Sequence, residues 1–190
     1  QAGAIPIFLP TARNSFGMIG AIDWDALDEN SLRGQIRKHP LVSERERADR
    51  ERPFPLACIQ LATFDGTVYT CRKVMEKIGR LCDYVLWDEA WIGYNAFHPL
   101  FADHSPMRLP QLGPETAGLF STQSVHKQGA GFSQASQIHK RDEHTRGQRR
   151  FIGHKRFNEA FLMYCSTSPF YPLFAALDVN AKVHDGKAGE

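Results

Sequence analysis

FPLACIQLATFDGTVYTCRKVMEKIGRLCDYVLWD, residues 54–88, decides the fold class. Residues 54–64 form an apolar run of strand length that ends at the turn pair Asp65-Gly66. Val68, Cys71, Val74, Met75, Ile78 and Cys82 then recur at helical spacing, and residues 84–87 are a second short apolar run. Strand, helix and strand at this spacing make a βαβ unit, whose strands run parallel through a right-handed crossover. Open sheets of that kind bind ligands at the carboxyl ends of their strands. Asp65 and Asp88 fall at those ends and are the first candidates for a site.

Downstream, residues 118–124 (GLFSTQS) read as a further strand and residues 156–165 as a helix, with a second helical run after a Thr-Ser-Pro turn. Upstream, residues 28–38 have helical character, with Leu32 and Ile36 one turn apart behind acidic residues. Residues 4–9 (AIPIFL) suit a buried strand and residues 11–20 read as loop. The dense mixed charges of residues 44–53 read as a solvated connector. No internal repeat is visible. The expected class is α/β with a mostly parallel central sheet.

The composition, 190 residues with 42% hydrophobic and 23% charged, suits one sizeable core. A net charge of +2 argues against nucleic acid or an acidic membrane as the main partner. No apolar run approaches the roughly 20 residues of a membrane span. There is no basic-then-apolar leader either, and the expected location is the cytoplasm. Cys58, Cys71, Cys82 and Cys165 sit singly and read as buried free thiols rather than a disulfide framework. His139, His144 and His154 lack metal-ligand spacing and read as surface residues. Residues 140–156 carry seven basic side chains against two acidic. They read as a solvated loop or subunit contact, since aromatics that could stack on bases are nearly absent. The chain opens without methionine and stops without a closing element, which reads as an internal piece of a longer protein.

The stretch STQSVHKQGAGFSQASQIH, residues 121–139, poses the functional question. Lys127 follows a histidine among small and hydroxyl-bearing residues, and no other lysine, arginine or carboxylate occurs from Leu119 to Ile138. That setting suits an amine held for imine formation with an aldehyde. Asp88 follows four apolar residues, and an unpaired carboxylate there would be costly. On an extended strand Asp88 and Ala90 share one face while Glu89 takes the other. A carboxylate beside a methyl group can seat a flat heterocycle with one basic nitrogen. Pyridoxal phosphate meets both requirements, offering its aldehyde to Lys127 and its pyridine nitrogen to Asp88. Spacing alone leaves a structural lysine in a loop as the commoner outcome.

TQSVHKQGAGFSQAS, residues 122–136, resembles the cofactor-attachment stretch of the bacterial ornithine/lysine/arginine decarboxylases. The matching positions are Ser124, His126, Lys127, Ala130, Gly131, Ser133, Gln134, Ala135 and Ser136. ATFDGTVY, WDEAWIGY and RFNEAFLMYCSTSPFYPLFAALDVNA resemble further parts of the family, and the likeness runs through essentially the whole chain. The SVHKQ, QIHK and STSPFYP forms look most like the ornithine branch.

The resemblance implies part of the major domain of the aspartate-aminotransferase-like fold (fold type I), spanning residues 1–190 without its amino-terminal portion or the small carboxyl-terminal domain. It implies Lys127 as the Schiff-base lysine, Asp88 as partner of the pyridine nitrogen, and Ala90 against the ring with Trp91 close by. Ser124 and His126 would hold the phosphate and orient the lysine. Asp65 would lie near the cofactor, and Ser166 would reach the phosphate of a neighbouring subunit in a homodimer or higher homo-oligomer. The implied reaction is decarboxylation of a basic amino acid, ornithine first, with lysine or arginine as alternatives. A truncated remnant that only folds or oligomerises is the reading from another class. The family usually has serine where this chain has Glu89, a departure expected to alter packing behind the sheet. The phosphate-gripping serine/threonine cup and the ring-stacking histidine lie, in the family, before this chain starts.

Overall fold

The computed structural model describes residues 3–129, 131–165 and 168–185. In order these form β1 (Thr11–Arg13), β2 (Ile19–Ile22), α1 (Glu29–Lys38), β3 (Phe54–Gln60), α2 (Cys71–Ile78) and β4 (Cys82–Asp88). Then follow β5 (Gly118–Gln123), α3 (Val125–Gln128), β6 (Gln137–Arg141), α4 (His154–Tyr164) and α5 (Tyr171–Val183). The main sheet has the order β3-β4-β5-β6. β3, β4 and β5 are parallel, and β6 adds to the edge antiparallel. The class is α/β with a mostly parallel sheet, as the 54–88 pattern required.

α2 forms because Cys71, Val74, Met75 and Ile78 lie on one helical face, and all four are buried. They join Ile59, Val85, Trp87 and Leu119 of the sheet in one apolar cluster. Each fully buried side chain of this size contributes about 1.5–3 kcal/mol. The helix stops at Gly79, whose amide donates to the Met75 carbonyl at 2.8 Å. Phe54 opens β3 by donating its amide to the Leu81 carbonyl at 3.2 Å.

On the other sheet face Tyr84 stacks on Phe120 with centroids 4.9 Å apart, and Phe120 stacks on Phe157 of α4 at 5.6 Å. The buried Tyr84 hydroxyl donates to Asp142 at 2.8 Å and accepts the Ile152 amide at 3.0 Å. Burial first, and then the bond to Asp142, hold this phenol above its ordinary pKa, so it remains a donor at neutral pH.

Several expectations are corrected. Residues 4–9 form no strand, and Ile5 and Phe8 are exposed. Pro6 removes a ladder donor from that run, and Pro10 follows it. Residues 11–20 are instead largely a hairpin, β1 antiparallel to β2. Val68 lies outside α2, in a bridge to Ala62, and Cys82 begins β4.

Part of the basic segment is structural rather than solvated. Arg141 donates to the carbonyls of Leu109 at 2.7 Å and Pro110 at 3.1 Å. Arg150 donates to Thr116 and Pro114 at 2.7 Å and to Asp83 at 3.0 Å. These arginines latch the loop that enters β5. His144 is likewise partly buried, its Nε2 at 3.1 Å from the Ala117 carbonyl. All four cysteines are free: Cys58 and Cys165 are exposed, whereas burial pushes the thiols of Cys71 and Cys82 up to about 12. Among the described residues no helix is long and apolar enough to cross a membrane.

Tyr84→Phe removes the phenolic donor from Asp142 and the acceptor from Ile152. We expect a stability loss of about 1–3 kcal/mol in urea titrations. A loss below about 0.5 kcal/mol, within the range of neutral surface changes, would show that the pair is not fastening α4 and β6 to the sheet.

Candidate active site

β4 and β5 end side by side because they are parallel, with Asp88 the register partner of Thr122. Asp88 is half-buried, and its Oδ1 accepts the Ala90 amide at 2.9 Å, which turns the chain at the strand end. Glu89 points the opposite way and is fully buried, while Ala90 and Trp91 are half-buried. Strand alternation thus puts the two neighbouring carboxylates on different faces, as the sequence pattern indicated.

β5 leads through Ser124 into α3, a four-residue helix. Val125 is the buried residue of α3. Lys127, two positions on and roughly 200° around the helix, is exposed rather than crowded. Its Nζ lies 4.4 Å from the centre of the Trp91 ring, a cation–π contact joining the β5 arm to the turn after β4. Ser124 is the N-cap of α3 but makes no side-chain cap bond, and its carbonyl accepts the Lys127 amide at 3.1 Å.

His126 is fixed from the other side. Its Nδ1 lies 2.9 Å from the Ala135 carbonyl, and its amide donates to the same oxygen at 3.3 Å. A carbonyl only accepts, so Nδ1 carries the proton and Nε2 remains for another partner. Gln134, at φ 73°, makes the turn that brings Ala135 back over His126. Asp88, Lys127, His126 and Ser124 thus gather at one end of the sheet. A carboxylate, a primary amine, an imidazole and a hydroxyl there fit a flat cofactor bearing a protonated ring nitrogen, an aldehyde and a phosphate. Ser166 and Ala130 lie outside the described residues.

Asp65, at the turn after β3, bonds to the β1–β2 hairpin and to its own turn. Its Oδ2 accepts the Ile19 amide at 2.9 Å, and Thr63 donates its hydroxyl to Oδ1. Oδ2 therefore docks the β1–β2 hairpin on the turn after β3, while Oδ1 is held within that turn by Thr63. The Thr63 hydroxyl holds the Asp65 carboxyl below its ordinary pKa; burial opposes it as the next largest effect, and the Ile19 amide and the charge of Arg13 add to the lowering.

Sequence reasoning passed over four residues beside the site: Asn95, Ser121, Thr122 and Gln123. Asn95, Ser121 and Gln123 surround the Glu89 carboxylate. Glu89 thus lies behind the sheet, where its carboxylate is held by polar bonds. The one available signal was Ser121 and Gln123, polar at alternate positions of an otherwise buried strand. His139, read as a surface residue, is half-buried, and its Nε2 lies 3.1 Å from Gln123 Oε1. Among the described residues no group of three or more His, Cys, Asp or Glu could hold a metal ion.

The family model for the Orn/Lys/Arg decarboxylase major domain matches residues 1–190, and the chain belongs to that family. It is 58% identical over 189 residues to the constitutive ornithine decarboxylase of Escherichia coli, covering 100% of this chain and 26% of that protein. It is 34% identical to the biodegradative arginine decarboxylase of E. coli over 98% of the chain and 24% of that protein. Among solved structures, lysine decarboxylase A from Pseudomonas aeruginosa superposes with a TM-score of 0.85 at 37% identity, covering 98% of this chain and 24% of that one. The chain spans about a quarter of the length of these relatives.

The Asp65 geometry makes a pH-dependent prediction. A carboxyl whose pKa is lower folded than unfolded stabilises fully above the unfolded value and loses that effect as pH falls through the folded one. Asp65→Asn should therefore melt below the parent at neutral pH, and the gap should close as pH drops below about 3.9. Thermal melts at stepped pH read it; a gap independent of pH would show that the carboxylate charge does not hold the hairpin.

Proposed function

We propose that the complete protein is a pyridoxal-phosphate-dependent carboxy-lyase of a basic amino acid, ornithine first, and that residues 1–190 are part of its cofactor-binding major domain. One observation carries the reading: Asp88 and the Lys127 arm end adjacent parallel strands, with the Lys127 amine resting on Trp91 just beyond Asp88. The substrate assignment is supported by identity, 58% and 56% to two ornithine decarboxylases against 37% to a lysine and 34% to an arginine decarboxylase.

Bound pyridoxal phosphate supplies an aldehyde that carries the substrate amine and a protonated ring that takes up the electron pair left when carbon dioxide departs. Asp88 would accept the ring N–H and keep the proton on the nitrogen, an electrostatic role. Lys127 would hold the cofactor through its amine, Ala90 would leave room for the ring, and Ser124 and His126 would hold the phosphate and orient the lysine. Trp91, whose ring the Lys127 amine lies against, would position that amine. Asp65 stands one step back, fixing the hairpin beside the site, and the complete protein works as a homo-oligomer.

Incubation of the complete protein with pyridoxal phosphate and borohydride should label the Lys127 peptide, and Lys127→Ala should abolish that label. Random labelling of surface lysines would support the reading of a non-catalytic remnant. Asp88→Asn should keep the label while turnover falls by about 10²–10³; unchanged turnover would show that the ring nitrogen is held otherwise. Product analysis with ornithine, lysine and arginine should give putrescine in excess over cadaverine and agmatine, and the opposite order would reassign the substrate.

A further inference from the structure

Glu89 is fully buried, and three neutral side chains surround its carboxylate. Asn95 Nδ2 donates to Oε1 at 2.8 Å, Gln123 Nε2 donates to Oε2 at 2.8 Å, and the Ser121 hydroxyl donates to the same oxygen. Gln123 passes the chain on, since its Oε1 accepts Gln137 Nε2 at 2.7 Å and lies 3.1 Å from His139 Nε2. Asn95 Oδ1 has no partner among the described residues, so the Asn95 amide is held here through the N–H it gives Glu89. A buried carboxylate is retained only where its bonds are satisfied, and these bonds join three strands and one turn.

The pieces joined are those that bear the site. Ser121 and Gln123 flank Thr122, the register partner of Asp88, and Gln123 precedes Ser124, the N-cap of the helix bearing Lys127. Asn95 closes the turn that contains Trp91, with Ile92 N bonded to Glu89 O and Asn95 N to Ile92 O, each at 3.0 Å. The turn also lies tight on the network, for a Cβ built on Gly93 would sit 3.2 Å from Gln123 Cβ. One side chain therefore ties the Asp88–Trp91 turn to the arm that brings Lys127 over Trp91.

We propose that Glu89 is a positioning residue, setting the ring-nitrogen partner Asp88 and the Trp91 turn against the arm of Lys127 from behind the sheet. This rests on the cofactor reading of Asp88 and Lys127. Glu89→Gln keeps the volume and replaces one acceptor by a donor that faces the other donors. In the complete, cofactor-loaded protein it shifts or weakens the visible circular-dichroism band of the bound pyridoxal phosphate. It also lowers kcat about tenfold, as outer partners of site groups do, with KM within about twofold of the parent. Gln123→Met, which removes one donor and leaves Glu89 in place, gives the same change at smaller size and decides the matter if Glu89→Gln fails to fold. Lower melting temperature with unchanged band and kcat in either folded variant overturns the inference, because a merely structural carboxylate behaves so. A parent protein that shows no cofactor band at all overturns the cofactor reading, and this one with it.

Discussion

The parallel register of β4 against β5 is the constraint on which the other features depend. It makes the two strands finish at the same end of the sheet, with Asp88 opposite Thr122 and the Glu89 amide donating to the Thr122 carbonyl at 2.8 Å. A slip of one residue would exchange the faces of Asp88 and Glu89. Asp88 would then enter the buried pocket of Ser121, Gln123 and Asn95, and Glu89 would take the half-buried face beside Ala90. The register is held by what lies upstream: Val85, Trp87 and Leu119 are fully buried on one face and Tyr84 stacks on Phe120 on the other. An apolar core therefore decides which of two adjacent carboxylates is buried behind the sheet and which takes the half-buried face.

Along the buried face the sheet changes character toward its carboxyl end. Trp87 belongs to the apolar cluster, whereas Glu89, Ser121 and Gln123, also buried, bond to one another. Buried donors and acceptors cost little when each is matched and a good deal when one is left over. The carboxylate therefore binds its neighbours to particular positions more strictly than apolar packing would, since Leu or Val could slide where a two-oxygen acceptor cannot. Geometry at the carboxyl end of the sheet, where Asp88 and the Lys127 arm lie, gains from that strictness.

The βαβ core was legible because its signal is local: an apolar run of strand length, then a helical repeat, then a second short apolar run, with few polar interruptions. β6 was not, because QIHKR is mostly polar and only half-buried, and what holds it is backbone pairing to β5 together with the Arg141 latch. The β1–β2 hairpin was invisible for the same reason. It is docked by distant groups, with Ile19 bound to Asp65 and Ile22 to the Tyr69 hydroxyl at 2.7 Å. Asp88 and Lys127 could be singled out because isolated charges in apolar or neutral surroundings are chemically conspicuous. Asn95, Ser121 and Gln123 could not, since each is an ordinary polar residue until the strands bring them to Glu89.

The small residues after Lys127 carry a different message from the one first suggested. They do not crowd the amine, which is exposed and lies against Trp91. A Cβ on Gly129 would come within 2.6 Å of Asn180 Oδ1 and 2.7 Å of the Val125 carbonyl, and one on Gly131 within 3.1 Å of Val125 Cγ1. Glycine is required there so that α5 and the returning loop can close on the back of α3. That closure keeps Val125 buried and, through the rotation of a helix, turns Lys127 outward. The segment thus meets two demands with one composition: backbone packed tightly behind, and a long exposed amine resting on an indole face at the sheet end.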